Sequence, residues 1–245
     1  LNLLFILREL EASPAAADAA RNAVAEYETN LDAALAAREN LMQGLISTQL
    51  NAMSNPDPSA GVQLAEQIMA KRVAVRDVQD AAIKAISSAL GEEYGPQFER
   101  RALQRAFPQV YRPDPITPLF EAAAALPDLT DAQKTSLKAL RDRFNADYPA
   151  FQARFADGYR ATEPLEPRRR TEMAQNRGAG TSKYSEAPQI EALKKERDEM
   201  FAKYREEIAA ILNEAQQESI PGMSKKGVDN GESAPVGVDQ NVRGP

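Results

Sequence analysis

No histidine, cysteine or tryptophan occurs among the 245 residues of the chain. Without imidazole there can be no Ser-His-Asp or Cys-His arrangement, no histidine base and no histidine-bound metal. Without thiols there is no thiolate nucleophile, disulfide or zinc-thiolate site. Carboxylates remain for acid/base or metal work, and Glu92, Glu93, Asp128 and Asp131 are the candidates. Each stands near an expected helix start, where the helix dipole already favours acids. The expectation is a protein with no catalytic residue, no metal and no cofactor. No stretch approaches the roughly 20 apolar residues of a membrane span. A basic excess is absent too: 30 Lys+Arg face 36 Asp+Glu, for a net charge of −6 and a pI near 5.0. That balance argues against a nucleic-acid partner. Arg168-Arg169-Arg170 is surrounded by Glu163, Glu166 and Glu172, so a solvated loop is expected there.

What is abundant is alanine. Of the 43% hydrophobic residues, 43 positions are Ala, which gains little by burial and is the best helix former. The composition therefore favours slender, close-packed helices over a thick core. The expected fold is all-α: long antiparallel helical hairpins forming a thin cradle-like or elongated bundle, with a disordered C-terminal tail.

Periodicity places the helices. The apolar run Leu1–Leu7 lacks a basic leader and a small-residue cleavage site, so it is read as the start of a first helix. Ser13-Pro14 offers an N-cap followed by Pro at the first helical position. From there to about Met53, Val24, Tyr27, Leu31, Leu35, Arg38, Leu41 and Leu45 recur in threes and fours. Asn55-Pro56-Asp57-Pro58-Ser59 is a turn. A second helix, about 60–90, carries Leu64, Ile68, Val75, Val78, Ile83, Ile86 and Leu90. Gly91 and Gly95-Pro96 interrupt it before a short helix over 97–107, and another helix is expected near 118–125. From Thr130 a helix carries Leu137, Leu140, Phe144, Tyr148, Phe151 and Phe155, with Pro149 kinking but not ending it. Residues 162–188 are predicted to be a mobile loop. A last helix over 188–219 carries Ile190, Leu193, Arg197, Met200, Tyr204, Ile208 and Ile211. The organisation expected is a first hairpin module at 1–98, a Pro-rich connector at 99–128, a second hairpin module at 129–220 and a tail at 221–245.

Thr130-Asp131-Ala132-Gln133 fits a capping box, in which the Thr hydroxyl accepts from the third amide and Gln133 reaches back to the Thr amide. Leu129 precedes the cap. Leu212-Asn213-Glu214-Ala215-Gln216 repeats the layout, and if Asn213 caps, the last helix must restart there. Weaker echoes are Ala12-Ser13-Pro14-Ala15-Ala16 and Leu90-Gly91-Glu92-Glu93-Tyr94. The motifs begin at residues 12, 90, 129 and 212, and placing Ser13 on Thr130 sets Tyr27 against Phe144. Two diverged copies of one hairpin are the expected origin.

The pair of L-(T/N)-x-x-Q segments flanking a helical arm resembles the LTXXQ-motif proteins of the Spy/CpxP type. That resemblance implies an all-helical, periplasmic protein without a catalytic centre. It also implies stress-related binding of unfolded or partner proteins by cradles built as antiparallel dimers. On that basis the capping residues are Leu129, Thr130, Gln133, Leu212, Asn213 and Gln216. The partner is an unfolded or specific protein, and the molecule is either a homodimer or a monomer in which tandem modules replace one. The candidate client surface is Arg141, Phe144, Tyr148, Phe151, Arg154 and Phe155, since interleaved aromatic and cationic groups suit promiscuous contact. The same aromatics at helical spacing can equally fill a hairpin core. The alternative function is a structural helical-bundle or coiled-coil protein with one partner, to which the 188–212 stripe points.

Overall fold

The computed structural model describes residues 1–52, 58–176 and 186–223, with side chains described except at 45–52, 58–60 and 174–176. The fold is all-α, and among the described residues every regular element is a helix. No helix among them is long and apolar enough to cross a membrane. The expected Asn55–Ser59 turn falls mostly outside the described residues, as does all of the expected tail beyond residue 223.

The chain divides into two compact units that interleave along the sequence instead of following the sequential modules 1–98, 99–128 and 129–220. The first joins Leu1–Pro113 to Tyr148–Arg197, and the second joins Asp114–Asp147 to Asp198–Pro245. The physical reason is that two helices are long enough for their halves to belong to different units.

In the first unit, α1 (Leu3–Glu9) opens on Asn2, whose side chain accepts from the Phe5 amide at 2.9 Å. Ser13 then caps α2 (Pro14–Ala52) by accepting from Ala16 N at 3.3 Å. α3 (Pro58–Ala106) packs on α2 so that the early residues Ala20 and Tyr27 share a core with the late residues Ile83, Ile86 and Leu90. That ordering is antiparallel. Leu3, Ile6 and Leu10 of the N-terminal segment close the same core with Phe98 and Ala102. Burying a side chain such as Ile86 stabilises by about 2 kcal/mol.

Away from that core the α2 stripe weakens. Leu31 and Leu41 are half-buried, while Leu35 and Arg38, expected on the inner face, are exposed. Ala34 and Ala37 turn inward in their place, as a small-residue seam requires.

α3 is bent at Gly91 (φ 72°, ψ −170°), a backbone conformation that side chains disfavour. Beyond the bend the chain folds back so closely that a Cβ on Gly95 would lie 2.3 Å from the Ser87 carbonyl oxygen. The Ser87 hydroxyl donates to the Gly95 carbonyl at 2.9 Å. The interruption expected here is present at Gly91, whose non-helical backbone separates two helical stretches at a kink, and Pro96 is accommodated within the second.

α5 (Asp131–Thr162) passes through Pro149 unbroken and is followed by a 3-10 turn at Glu163–Leu165 and by α6 (Glu166–Asn176). The mobile loop expected over 162–188 is thus helical up to Asn176, and 177–185 lie outside the described residues. The local cause is legible: Glu166-Pro167 is a helix start, and Glu166 pairs with Arg169 and Arg170 one turn on. α7 (Pro188–Ile211) pairs with α5, and Gly158 of α5 permits the approach, since a Cβ there would meet Leu193 at 2.6 Å.

In the second unit, the Asp114 carboxylate accepts from the amides of Ile116 (2.9 Å) and Thr117 (2.6 Å) and so sets the entry to α4 (Thr117–Ala124). Phe120 of α4 packs on Phe144 of α5 at 5.9 Å between ring centres, and Phe144 meets Tyr204 of α7 edge-on at 5.0 Å. The last predicted helix, 188–219, is two: α7 ends at Ile211, and α8 (Glu214–Ser219) restarts from Asn213.

Candidate functional site

Both capping boxes form. The Thr130 hydroxyl accepts from Gln133 N at 3.2 Å, and the Gln133 side-chain carbonyl accepts from Thr130 N at 3.0 Å. At α8 the Asn213 side chain accepts from Gln216 N at 2.9 Å, and the Gln216 carbonyl accepts from Asn213 N at 3.0 Å. Each box satisfies two amides that a helix start would otherwise leave unpaired.

The two boxes also bind one another, which local capping does not require. The Gln133 amide donates to the Gln216 side-chain carbonyl at 2.8 Å and to the Ile211 backbone carbonyl at 2.9 Å. In the other direction, the Gln216 amide donates to the Asp128 carbonyl at 3.4 Å. Each glutamine therefore reaches the carbonyl two residues before the other box's cap, in a reciprocal arrangement. Leu129 and Leu212, the leucines that precede the caps, are both buried, and Gln216 is only 3% exposed. A glutamine that deep must have its hydrogen bonds satisfied, and here it does. Thus the six motif residues, separated by some eighty positions, come together in the second unit.

The aromatic candidates fare otherwise. Phe144, Tyr148, Phe151 and Phe155 are 2%, 7%, 1% and 1% exposed. They are core residues and offer no client surface. In the first unit Phe151 packs on Phe155 at 5.6 Å, and Phe155 stacks on Tyr159 at 5.4 Å. Cations cover these rings within each unit. Arg154 lies over the Phe151 ring at 5.5 Å and pairs with Glu196 of α7, while Arg197 covers Phe155 at 5.9 Å. In the second unit Arg143 lies over Tyr204 at 5.5 Å and pairs with Glu207. The Tyr204 hydroxyl donates to Asp147 at 2.6 Å. Burial first, and this hydrogen bond second, raise the Tyr204 pKa above its ordinary 10.0. Of the predicted surface residues, Arg141 and Arg154 alone are exposed.

An ion-pair ladder in the first unit was not anticipated from the sequence. α3 supplies Glu66, Arg72, Arg76 and Asp80 at roughly helical spacing, and the chain from α5 to α6 answers each. Arg168 meets Glu66 at 2.8 Å, Glu163 takes both Arg72 (2.8 Å) and Arg76 (2.5 Å), and Arg160 meets Asp80 at 2.6 Å. The hydrogen bond to Asp80 raises the Arg160 pKa. Beside the ladder is a cavity of about 510 Å3 floored by Val75, Phe107, Ala187 and Ile190. Four guanidinium groups and four carboxylates line it among the described residues, and each of those carboxylates is engaged by a cation. The signal that could have revealed it is the set of two bases flanked by two acids, Glu66, Arg72, Arg76 and Asp80, along one face of α3.

No family model, curated protein or solved structure matches this chain.

Proposed function

We propose that this is a non-enzymatic binding protein of the Spy/CpxP type, acting as an ATP-independent, stress-related chaperone in the periplasm or another extracytoplasmic space. The observation that carries the reading is the reciprocal lock between Gln133 and Gln216. It gives the two L-(T/N)-x-x-Q segments one shared structural task, which explains why the same five-residue pattern stands at both places. Independent helix starts would call for no such pairing.

The burial pattern supports a duplicated hairpin. Placing Ser13 on Thr130 sets Ala20 on Leu137 and Tyr27 on Phe144, and all four are buried. Placing Leu90 on Leu212 sets Ile86 on Ile208 and Phe98 on Ile220, and these too are buried. Gly91 and Asn213 then coincide, both with extended ψ (−170° and 169°) at the point where helix restarts. The correspondence fails at Ile83, which is buried while Arg205 is exposed, so the copies have diverged.

With the aromatics inside, client contact falls to scattered exposed groups such as Phe5, Leu35, Met42 and Leu165 and to the charged faces around them. The decisive experiment is light scattering from two unrelated enzymes unfolding thermally, with the full chain present and no nucleotide. Suppression of both is expected at a few-fold excess. Suppression of neither would sink the chaperone reading and leave the alternative, a helical interaction protein with a single partner. The half-buried stripe of α2 favours that alternative, since a second helix would complete its burial.

A further inference from the structure

The second unit holds a small cavity of about 190 Å3 between α4 and the first turns of α5. Phe120, Leu129 and Leu137 make an apolar floor, and Lys134, Lys138 and Arg141 line its rim. Their spacing of four and then three residues puts the three cations on one face of α5. No carboxylate lines the cavity among the described residues. Among the described residues, Lys134 and Lys138 form ion pairs only along their own helix, with Asp131 at 3.5 Å and Asp142 at 2.8 Å, and such exposed pairs are readily exchanged. Arg141 is exposed and has no ion pair among the described residues.

We propose that this cavity is a peptide site that takes one large aliphatic or aromatic side chain from a segment bearing carboxylates beside it. The proposal rests on the binding-protein reading and gives it a location and a ligand chemistry. The size admits a single large side chain and falls below the roughly 300–1,000 Å3 of small-molecule pockets. The apolar floor, once covered, excludes water and strengthens the ionic contacts at the rim. The capping box already takes up the Thr130 and Gln133 amides at the start of α5, and the three rim cations are the charges that face the carboxylates.

The test is fluorescence anisotropy of the full chain with a fluorescein-labelled peptide in which one Phe is flanked on both sides by Asp. Replacing the Phe by Ser, or the acids by Lys, is expected to weaken binding at least about tenfold. Arg141→Glu reverses a rim charge at an exposed position, and Ala124→Phe fills the cavity from its wall. Each is expected to cost about the same factor, with the Arg141→Glu unfolding midpoint unchanged. Equal binding of the acidic and basic peptides, or full affinity in both variants, overturns the proposal. Tighter binding after neutralising Asp229, Glu232 and Asp239 together would make the chain's own C-terminal segment the occupant and overturn an external one. Failure of the chaperone assay with peptide binding intact removes the general function and leaves the site. Aggregation suppression retained by both variants after peptide binding is lost removes the site as a client contact and leaves the function.

Discussion

Gln216 ties the two helix starts of the second unit together. Its carbonyl accepts from Asn213 N and from Gln133, and its amide donates to Asp128. Replacing it with Ala strands the Asn213 amide and removes the tie to α5, at an expected cost of about 2 kcal/mol in urea unfolding followed by circular dichroism. Gln133→Ala loses its own box and the bond to Ile211 as well. A double-mutant cycle between the two glutamines should return a coupling near 1 kcal/mol. A coupling of zero would mean that the boxes cap independently and that their contact is incidental. Gly95 is constrained differently. A methyl group there meets backbone, the Ser87 carbonyl at 2.3 Å, which cannot rotate aside as a side chain could. Gly95→Ala should therefore destabilise by about 2 kcal/mol or more, whereas Gly44→Ala, with open space around it, should not. Thermal midpoints of the two variants decide the comparison.

At the level of helices, the aromatic stripe of α5 is where a functional expectation gave way to packing. Four rings at helical spacing and three arginines among them fit an exposed mixed surface and a buried seam equally well on periodicity alone. What decides is the partner: α7 sets Tyr204 edge-on against Phe144, and Arg143 and Arg154 rest on ring faces. Phe151→Ala should consequently cost about 3–5 kcal/mol of stability and leave client suppression unchanged at temperatures where the variant stays folded. Loss of suppression without loss of stability would return Phe151 to the surface. Helix positions and caps were legible because they depend on local chemistry: Ser13, Thr130 and Asn213 each cap as their sequence neighbours suggest. The ladder between α3 and the 160–168 stretch was not, because Asp80 and Arg160 are eighty residues apart and each alone reads as a solvated charge. The helical nature of 166–176 was legible in Glu166-Pro167, whereas the arginine triplet read alone is a solvated run of charge. Removing one end of the ladder exposes its weight. Arg160→Met leaves Asp80 partly buried without its strongest partner and should cost about 1–2 kcal/mol, the buried-pair penalty reduced for partial exposure. Asp80→Asn combined with Arg160→Met should recover part of that loss, as thermal midpoints would show.

Across the whole chain, pH dependence gathers the buried phenols. Burial raises the pKa of Tyr27, Tyr111, Tyr159 and Tyr204 above the ordinary 10.0 by opposing the phenolate. Below that value the phenols are protonated in both folded and unfolded chains, so they contribute no slope. Above it the unfolded chain releases its protons first and binds fewer than the native one. Stability must then fall as pH rises. Lys194, whose hydrogen bond to Glu186 raises its pKa above 10.5, acts in the same direction: its contribution is full below 10.5 and is lost as pH rises through the folded value. Arg160, whose pKa is raised further by its hydrogen bond to Asp80, keeps its charge through that range. Urea unfolding from about pH 9 to about pH 11 should show a progressive loss, with each tyrosine able to contribute up to about 1.4 kcal/mol per pH unit. Tyr204→Phe should begin about 1 kcal/mol less stable, because the hydrogen bond to Asp147 is gone, and then lose stability less steeply. Parallel curves for Tyr204→Phe and the unaltered chain would show that Tyr204 ionises as readily folded as unfolded. A burial of 1% exposure could not survive that result.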